Sequence, residues 1–384
     1  MHGIFVFNRM EVYTKKYGHD WSIVAPVPYF PKLPFRTSQV YDRYARVPRE
    51  ERFLGRDILH PKYLVTPKIG MRFYGDWFTR AVREAVTAIH SRHPIDLIDG
   101  HYIFPDGTAA ARLGRELGIP VILSARGTDL NLYPKLPPIA PLLRENLDSC
   151  GHVICVCTEL KTVAMSLGVP GSKATVIGNG VDTARFRPGN RQSARKALNL
   201  KANGQILMSA GGMVERKGFH ILIEAFARLE RGDATLIIIG DGQERDSLQA
   251  QASRLKISDR VVFPGAIANA KLSQWYQAAD LFFLASSREG WPNVLCEAQA
   301  CGLPCVATRA WGMPEIISDE RLGLLVDERN ADHFGSAMKA AMEMNWDRTY
   351  IAESGGRRTW DSVADNLEDV FGKVRNEFKL PGKI

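Results

Sequence analysis

Two glutamates eight positions apart frame the segment Glu289-Gly-Trp-Pro-Asn-Val-Leu-Cys-Glu297. An ionised carboxylate only accepts hydrogen bonds, so each could hold a pair of hydroxyls, as a sugar ring and a ribose present. Gly290 lets the backbone pass close to a ligand. Pro292 suits the first turn of a helix, whose free N–H groups can face a negative diphosphate. A second loop, Gly211-Gly-Met-Val-Glu-Arg-Lys-Gly218, follows a β-branched run and opens another helix. It offers Lys217 and more backbone N–H groups to an anion, and a fixed ammonium stabilises charge that develops on a departing diphosphate. A third stretch, Gly240-Asp-Gly242, is small enough for close approach. Each signal also has a plain reading: surface carboxylates, a tight turn with an exposed lysine, and a chance glycine pair. The phosphate-binding pattern G-x-x-x-x-G-K-[ST] is absent.

Parallel-sheet elements must carry these loops. Short apolar runs alternate with amphipathic stretches. Strands are expected at Asp96–Asp99, Val121–Ser124, His152–Val156 and Thr175–Ile177, with helices at Gly107–Leu117 and Ile139–Ser149. Gly178-Asn-Gly-Val-Asp182, running on to Pro188, reads as a linker. The rhythm resumes with strands Ile206–Ser209, Ala234–Ile239, Val261–Phe263, Leu281–Leu284, Pro304–Ala307 and Leu324–Val326. Helices Phe219–Leu229, Glu244–Leu255, Asn293–Ala300 and Ala331–Met344 intervene. The expectation is two doubly wound α/β domains, 1–178 and 179–358, with a closing helix of about 359–384 returning to the first. Ligands of such sheets bind beyond the carboxyl ends of the strands, so facing domains would share a cleft.

Charge and cysteines narrow the classes. Residues 1–178 hold 23 lysines and arginines against 16 acids, whereas the remainder is nearly balanced at 27 against 26. Much of the excess, from Lys32 to Arg72, alternates with Phe30, Phe35, Tyr41, Tyr44, Phe53, Tyr63 and Phe73. A solvated loop, an anionic membrane surface and an anionic lipid carrier all fit. No nucleic-acid motif accompanies the charge, so nucleic acid is not an expected partner. The six cysteines form no C-x-x-C pair and read as buried reduced thiols, with no zinc site. With no spanning run and no leader pattern, the expected location is cytoplasmic.

The stretches Val176–Asp182, Val214–Gly218, Ile239–Gly242, Val261–Gly265, Ala279–Leu281, Glu289–Gly302, Gly312–Glu315 and Gly323–Val326 resemble, in order and spacing, the family-4 retaining glycosyltransferases of the GT-B fold, also called group 1. The resemblance is weaker over Pro94–Asp129, and Trp360–Ala364 is similar to the family's last helix. It implies that Glu289 contacts the transferred sugar and that Glu297 binds the ribose of the nucleotide. It implies that Gly290, Trp291, Pro292, Asn293 and Val294 touch sugar and diphosphate, and that Lys217 holds the diphosphate. Gly212, Gly240 and Gly242 would line the donor site, Gly265 and Ile267 the base, and His101 the donor sugar. The donor would be a UDP- or GDP-linked sugar and the acceptor a glycan or a lipid-linked glycan. No cofactor or metal is expected, and peripheral contact with an anionic membrane is compatible. The setting would be polysaccharide or envelope glycoconjugate synthesis.

Three departures bear on this reading. Gly212 stands where many relatives have an arginine; Arg216, one residue before Lys217, is out of register with it and need not substitute, but is a candidate phosphate or acceptor contact. Arg126-Gly-Thr-Asp129 replaces a usual His-Gly-x-Asp, leaving Arg126 to contact phosphate or acceptor or to form an ion pair. The chain opens at the first helix, His2-Gly-Ile-Phe-Val, so the family's first strand is expected to be missing and Trp21–Ala25 to be the second. The expectation is a start that lies upstream or a weakened N-terminal domain. A non-catalytic sugar-nucleotide-binding scaffold of the same fold is the alternative function.

Overall fold

The computed structural model describes residues 3–30, 44–66, 70–229 and 232–378. The chain divides into two units, Met1–Gly178 with Ala364–Ile384, and Asn179–Val363.

The second unit is built on six parallel strands: β10 (Ile206–Ala210), β11 (Thr235–Ile239), β12 (Val261–Gly265), β13 (Leu281–Leu284), β14 (Cys305–Thr308) and β15 (Gly323–Val326). Leu281-Phe-Phe-Leu284 is apolar throughout because both faces of a parallel sheet are covered by helices, and all four residues are buried. Leu207, Leu236, Phe283 and Val306 pack on one face against the helix Phe219–Ala227. Met208, Ile237, Phe282 and Leu284 pack on the other against the helix Asn293–Ala300. Spatial order is β12-β11-β10-β13-β14-β15. The chain therefore reverses its direction of winding between β10 and β13, and the loops leaving those two strands part there. Ligands of open α/β sheets bind at such a switch point.

A buried ion pair ties this sheet to its outer helix. Arg195 donates to the carbonyls of Ala278, Ala202 and Gly204 and to Asp280 Oδ2 at 2.5 Å. Asp280 Oδ2 also accepts from Ile206 N at the start of β10, 2.7 Å away.

The first unit holds four parallel strands in chain order: β6 (Ile98–His101), β7 (Val121–Ala125), β8 (His152–Cys155) and β9 (Ala174–Val176). The N-terminal helix α1 (Ile4–Tyr17) lies against the closing helix Trp360–Phe378: Tyr13 donates to Glu368 Oε2 at 2.6 Å and meets Phe371 edge-on. The expected strand Asp96–Asp99 is displaced two residues onward, because the pairing of Ile98 with Val121 sets the register. The expected second strand, Trp21–Ala25, shortens to β1 (Ile23–Val24) and does not join this sheet. It pairs instead with β4 (Arg56–Leu59), itself antiparallel to β3 (Glu50–Phe53). A parallel pair joins β2 (Val27–Tyr29) to β5 (Lys62–Leu64). So part of the basic, aromatic stretch is strand rather than loop. Lys32, Phe35, Arg36, Tyr41, Arg43 and Lys68 lie outside the described residues. Among the described residues no strand pairs with the outer edge of β6 or of β1. Both edges line a largely apolar cavity of about 720 Å³, with Phe7, Ile58, Phe78 and Val82 in its walls.

Among the described residues no helix is long and apolar enough to cross a membrane. All six cysteines are buried and free.

Replacing Arg195 by methionine leaves three carbonyls unpaired and removes one of the two arginines on Asp280, whose other oxygen keeps Arg191 at 2.5 Å. Leaving a buried acceptor unsatisfied typically costs about 1 to 3 kcal/mol. The expected result is a clear fall in melting temperature and in the urea midpoint of the second unit, read by thermal and chemical denaturation.

Candidate functional site

Four loops beyond the carboxyl ends of β10, β11, β12 and β13 meet backbone to backbone. Gly211 N donates to Ile239 O, Met213 N to Asp241 O, and Gly240 N to Gly265 O, each at 2.9 Å. The glycines are a packing requirement here. Gly240 has φ +140°, and a Cβ on it would stand 1.9 Å from Gly211 O. Gly218, at φ +71°, would bring a Cβ within 2.2 Å of Ala285 O. The loop carrying Lys217 therefore sits directly on the end of β13.

That seating sets the side chains. Lys217 Nζ donates to Glu289 Oε1 at 2.6 Å, and both side chains are only 11 to 12% exposed. Arg216 Nη1 reaches the same oxygen at 3.1 Å. Burial acts to raise the Glu289 pKa, but the Lys217 and Arg216 charges outweigh it, so the carboxyl is held below its ordinary value. Arg329 clamps the frame from the loop after β15. Its Nε donates to Ala285 O at 2.7 Å and its Nη2 to Glu215 O at 3.0 Å.

Gly290 and Pro292 are buried, and Trp291 and Val294 pack on the core as the chain turns into the helix Asn293–Ala300. That helix has no side-chain cap at its start, so its first N–H groups remain available to an anion. Asn293 Oδ1 accepts from Asn179 Nδ2 at 3.1 Å. One turn in, Glu297 is 5% exposed and accepts from Tyr276 Oη at 3.0 Å. Burial pushes its pKa up to about 7. Gly265, at φ +85°, and Ile267, packed on the core, flank the same edge after β12. Gly212 is exposed, and a side chain there would meet nothing within 4 Å.

The structure thus brings Lys217, Arg216 and Glu289 into contact, with Gly240 and Gly242 beneath the lysine loop. Glu297 is not part of that cluster but is satisfied by Tyr276. Arg216, expected to be out of register, shares the lysine's carboxylate, because the short 3₁₀ turn Glu215–Lys217 aims both side chains the same way. Tyr276 and Arg329 escaped the sequence reading. The only available signals were a tyrosine on an otherwise apolar helix face and a cation just after a terminal strand.

His101 and Arg126 belong to the first unit, where they form a buried network with Arg9 and Asp99. Arg126 donates to His101 Nδ1 through Nη2, 2.9 Å away, and His101 Nε2 stands 3.3 Å from Asp99 Oδ2. This pattern places the imidazole proton on Nε2. Arg9 Nη2 lies 3.2 Å from the same Asp99 oxygen, and Arg9 Nη1 donates to Ser124 Oγ. Burial, only partly offset by Asp99, lowers the His101 pKa to about 4, so the ring stays neutral at pH 7. Both its nitrogens have partners, and the Arg126 guanidinium is turned toward the imidazole.

Glu297 gives a pH signature. Its pKa is about 7 in the folded chain against an ordinary 4.5. Between those values the folded state holds a proton that the unfolded state has lost, so stability falls as pH rises through this window. Relative to Glu297→Gln, the native chain should lose roughly 3 kcal/mol between pH 4.5 and 7.5, as expected from a shift of this order. Melting temperatures of the two proteins across that range measure it.

Known proteins share these features. The family model described as "Glycosyl transferases group 1" matches residues 190–358, and that described as "Glycosyltransferase Family 4" matches residues 18–185. The chain is 34% identical over 311 residues to a D-inositol 3-phosphate glycosyltransferase of Segniliparus rotundus, covering 76% of this chain and 68% of the relative. It superposes on sucrose-phosphate synthase from Thermosynechococcus elongatus with a TM-score of 0.78 at 18% identity, over 98% of this chain and 94% of that one. For Anabaena HepE in complex with UDP the TM-score is 0.70 at 20% identity, over 95% of each chain. Likeness at these identities speaks for the fold, GT-B.

Proposed function

The chain belongs to the group 1, family 4 glycosyltransferases, and we propose that it transfers the sugar of a UDP- or GDP-linked donor, with retention of anomeric configuration, to a glycan or lipid-linked acceptor. The observation that carries this reading is the 2.6 Å contact between Lys217 and Glu289 at the switch point, beside an uncapped helix start. The carbon–oxygen bond to the diphosphate breaks as the acceptor oxygen bonds the anomeric carbon. Negative charge gathers on the departing diphosphate, and Lys217 with the helix N–H groups stabilises it where it forms. In this reading these groups perform the electrostatic task that other enzymes give to a metal. The leaving diphosphate oxygen takes the acceptor's proton. Glu289, kept ionised by its cations, accepts hydrogen bonds from the sugar, and Glu297 does so from the ribose. Support for a uridine nucleotide comes from HepE, a fold neighbour described in complex with UDP.

Donor turnover tests the reading. Released nucleotide and acceptor glycosylation are followed across UDP- and GDP-sugars. Lys217→Ala and Glu289→Ala should each lower transfer by about 10²-fold or more, as loss of a comparable electrostatic stabiliser does, while leaving the fold intact by circular dichroism. Near-normal rates in both variants would refute the assignment. The bare Gly212 and the fully partnered His101 favour, as a second reading, a non-catalytic sugar-nucleotide binder. That protein would bind donor without releasing nucleotide.

The acceptor side extends the proposal to the inner face of an anionic membrane. Tyr29 and Leu64 are register partners on β2 and β5, 43% and 37% exposed, and Arg72 lies 4.5 Å over the exposed Phe73 ring. Aromatic and basic side chains together suit an interface with anionic lipid. Co-sedimentation should be strong with vesicles containing phosphatidylglycerol, weak with pure phosphatidylcholine, and reduced by Arg72→Glu. Equal recovery with both vesicle types would count against it.

A further inference from the structure

The turn Glu215–Lys217 delivers two cations to a single carboxylate oxygen, so the switch point carries one positive charge more than Glu289 neutralises. The two cations differ in freedom. Lys217 is 12% exposed and held at 2.6 Å, whereas Arg216 is 41% exposed and held more loosely, at 3.1 Å. Its other contact, to Arg288 O at 3.3 Å, also uses Nη1.

The backbone of Arg216 does not share that freedom. Its carbonyl accepts from Ser287 N at 2.8 Å and from Arg329 Nη2 at 3.4 Å. Motion is therefore confined to a long side chain that starts from a fixed point beside Lys217. The opposite side of the loop supplies no charge, since Gly212 has no side chain. A guanidinium suits a diphosphate better than a second ammonium would, because its planar fork can donate two parallel hydrogen bonds to phosphate oxygens.

We propose that Arg216 is the second diphosphate-binding cation of the site, leaving Glu289 for the donor's phosphates while Lys217 stays in place. This rests on the transferase reading above. A nucleoside diphosphate leaves with more negative charge than it carried when joined to the sugar, and Arg216 supplies the charge that Lys217 alone does not. The guanidinium's departure also frees a lone pair of Glu289 Oε1 to accept from a sugar hydroxyl.

The test compares the native chain with Arg216→Ala, Arg216→Gln and the double variant Arg216→Ala/Gly212→Arg. Calorimetry measures the affinity for UDP and GDP against uridine and guanosine, and donor kinetics give kcat and KM. Both single variants should bind the nucleoside diphosphates about 10-fold more weakly, as expected on losing a charge-assisted contact. Nucleoside affinity and melting temperature should stay unchanged, and kcat/KM should fall at least as far as diphosphate affinity. The double variant should recover part of the loss, because an arginine at position 212 meets open space, next in sequence to Gly211, which lies against the Lys217 side chain. Unchanged diphosphate affinity in both single variants overturns the proposal, as does an equal loss for nucleoside and diphosphate, which marks a purely structural role. Loss in Lys217→Ala alone would then leave the transferase reading standing. Absence of nucleotide binding by the native chain would instead remove that reading, and this proposal with it.

Discussion

The pairing of β10 with β13 is the constraint on which the second unit depends. Leu207 opposite Leu281 and Met208 opposite Phe282 place side by side two strands that lie more than 70 residues apart in the chain. Parallel neighbours so joined must send their following segments away from one another, which opens a gap above the strand ends. The gap is lined by backbone because the residues closing it are glycines. The donor chemistry follows from that geometry: backbone amides and an ammonium gather at one place.

Glu289 shows how electrostatics and packing cooperate there. A carboxylate removed from water resists ionisation, and left alone it would hold its proton. Two cations delivered by the neighbouring loop reverse that tendency, so the group is an acceptor at neutral pH. Glu297 illustrates the opposite outcome a short distance along the same chain. Its hydroxyl partner is neutral, and burial prevails. The pKa values of two acids from one motif are thus displaced in opposite directions, and the difference lies in what the adjacent element brings, not in the motif.

The parallel architecture was legible because buried strands leave an unambiguous mark: Leu281-Phe-Phe-Leu284 has no polar residue with which to face solvent. Lys217 and Glu289 were legible because each follows such a strand through a glycine-containing turn. Tyr276 was not, since its partner Glu297 is 21 residues away on another helix and no spacing rule connects them. Arg329 was hidden for a different reason: it holds backbone carbonyls, which every residue has. The contact of Arg216 with Glu289 was not legible, because alignment register records sequence distance and ignores that a 3₁₀ turn can aim consecutive side chains at one atom. The shortened Ile23–Val24 strand was also beyond reach, because strand membership is decided by the partner, and its partner proved to be Arg56–Leu59.

Among the described residues, the edges of β1 and β6 without a partner strand give the first unit a chemical character of its own. Each is a row of amides and carbonyls with the hydrogen-bonding appetite of an unfinished sheet. Natural proteins usually cover, bend or charge such edges, and here the buried Asp99 carboxylate with its arginine is the nearest thing to a guard on β6. An added β-strand would therefore find backbone bonding groups and a largely apolar cavity in the same place.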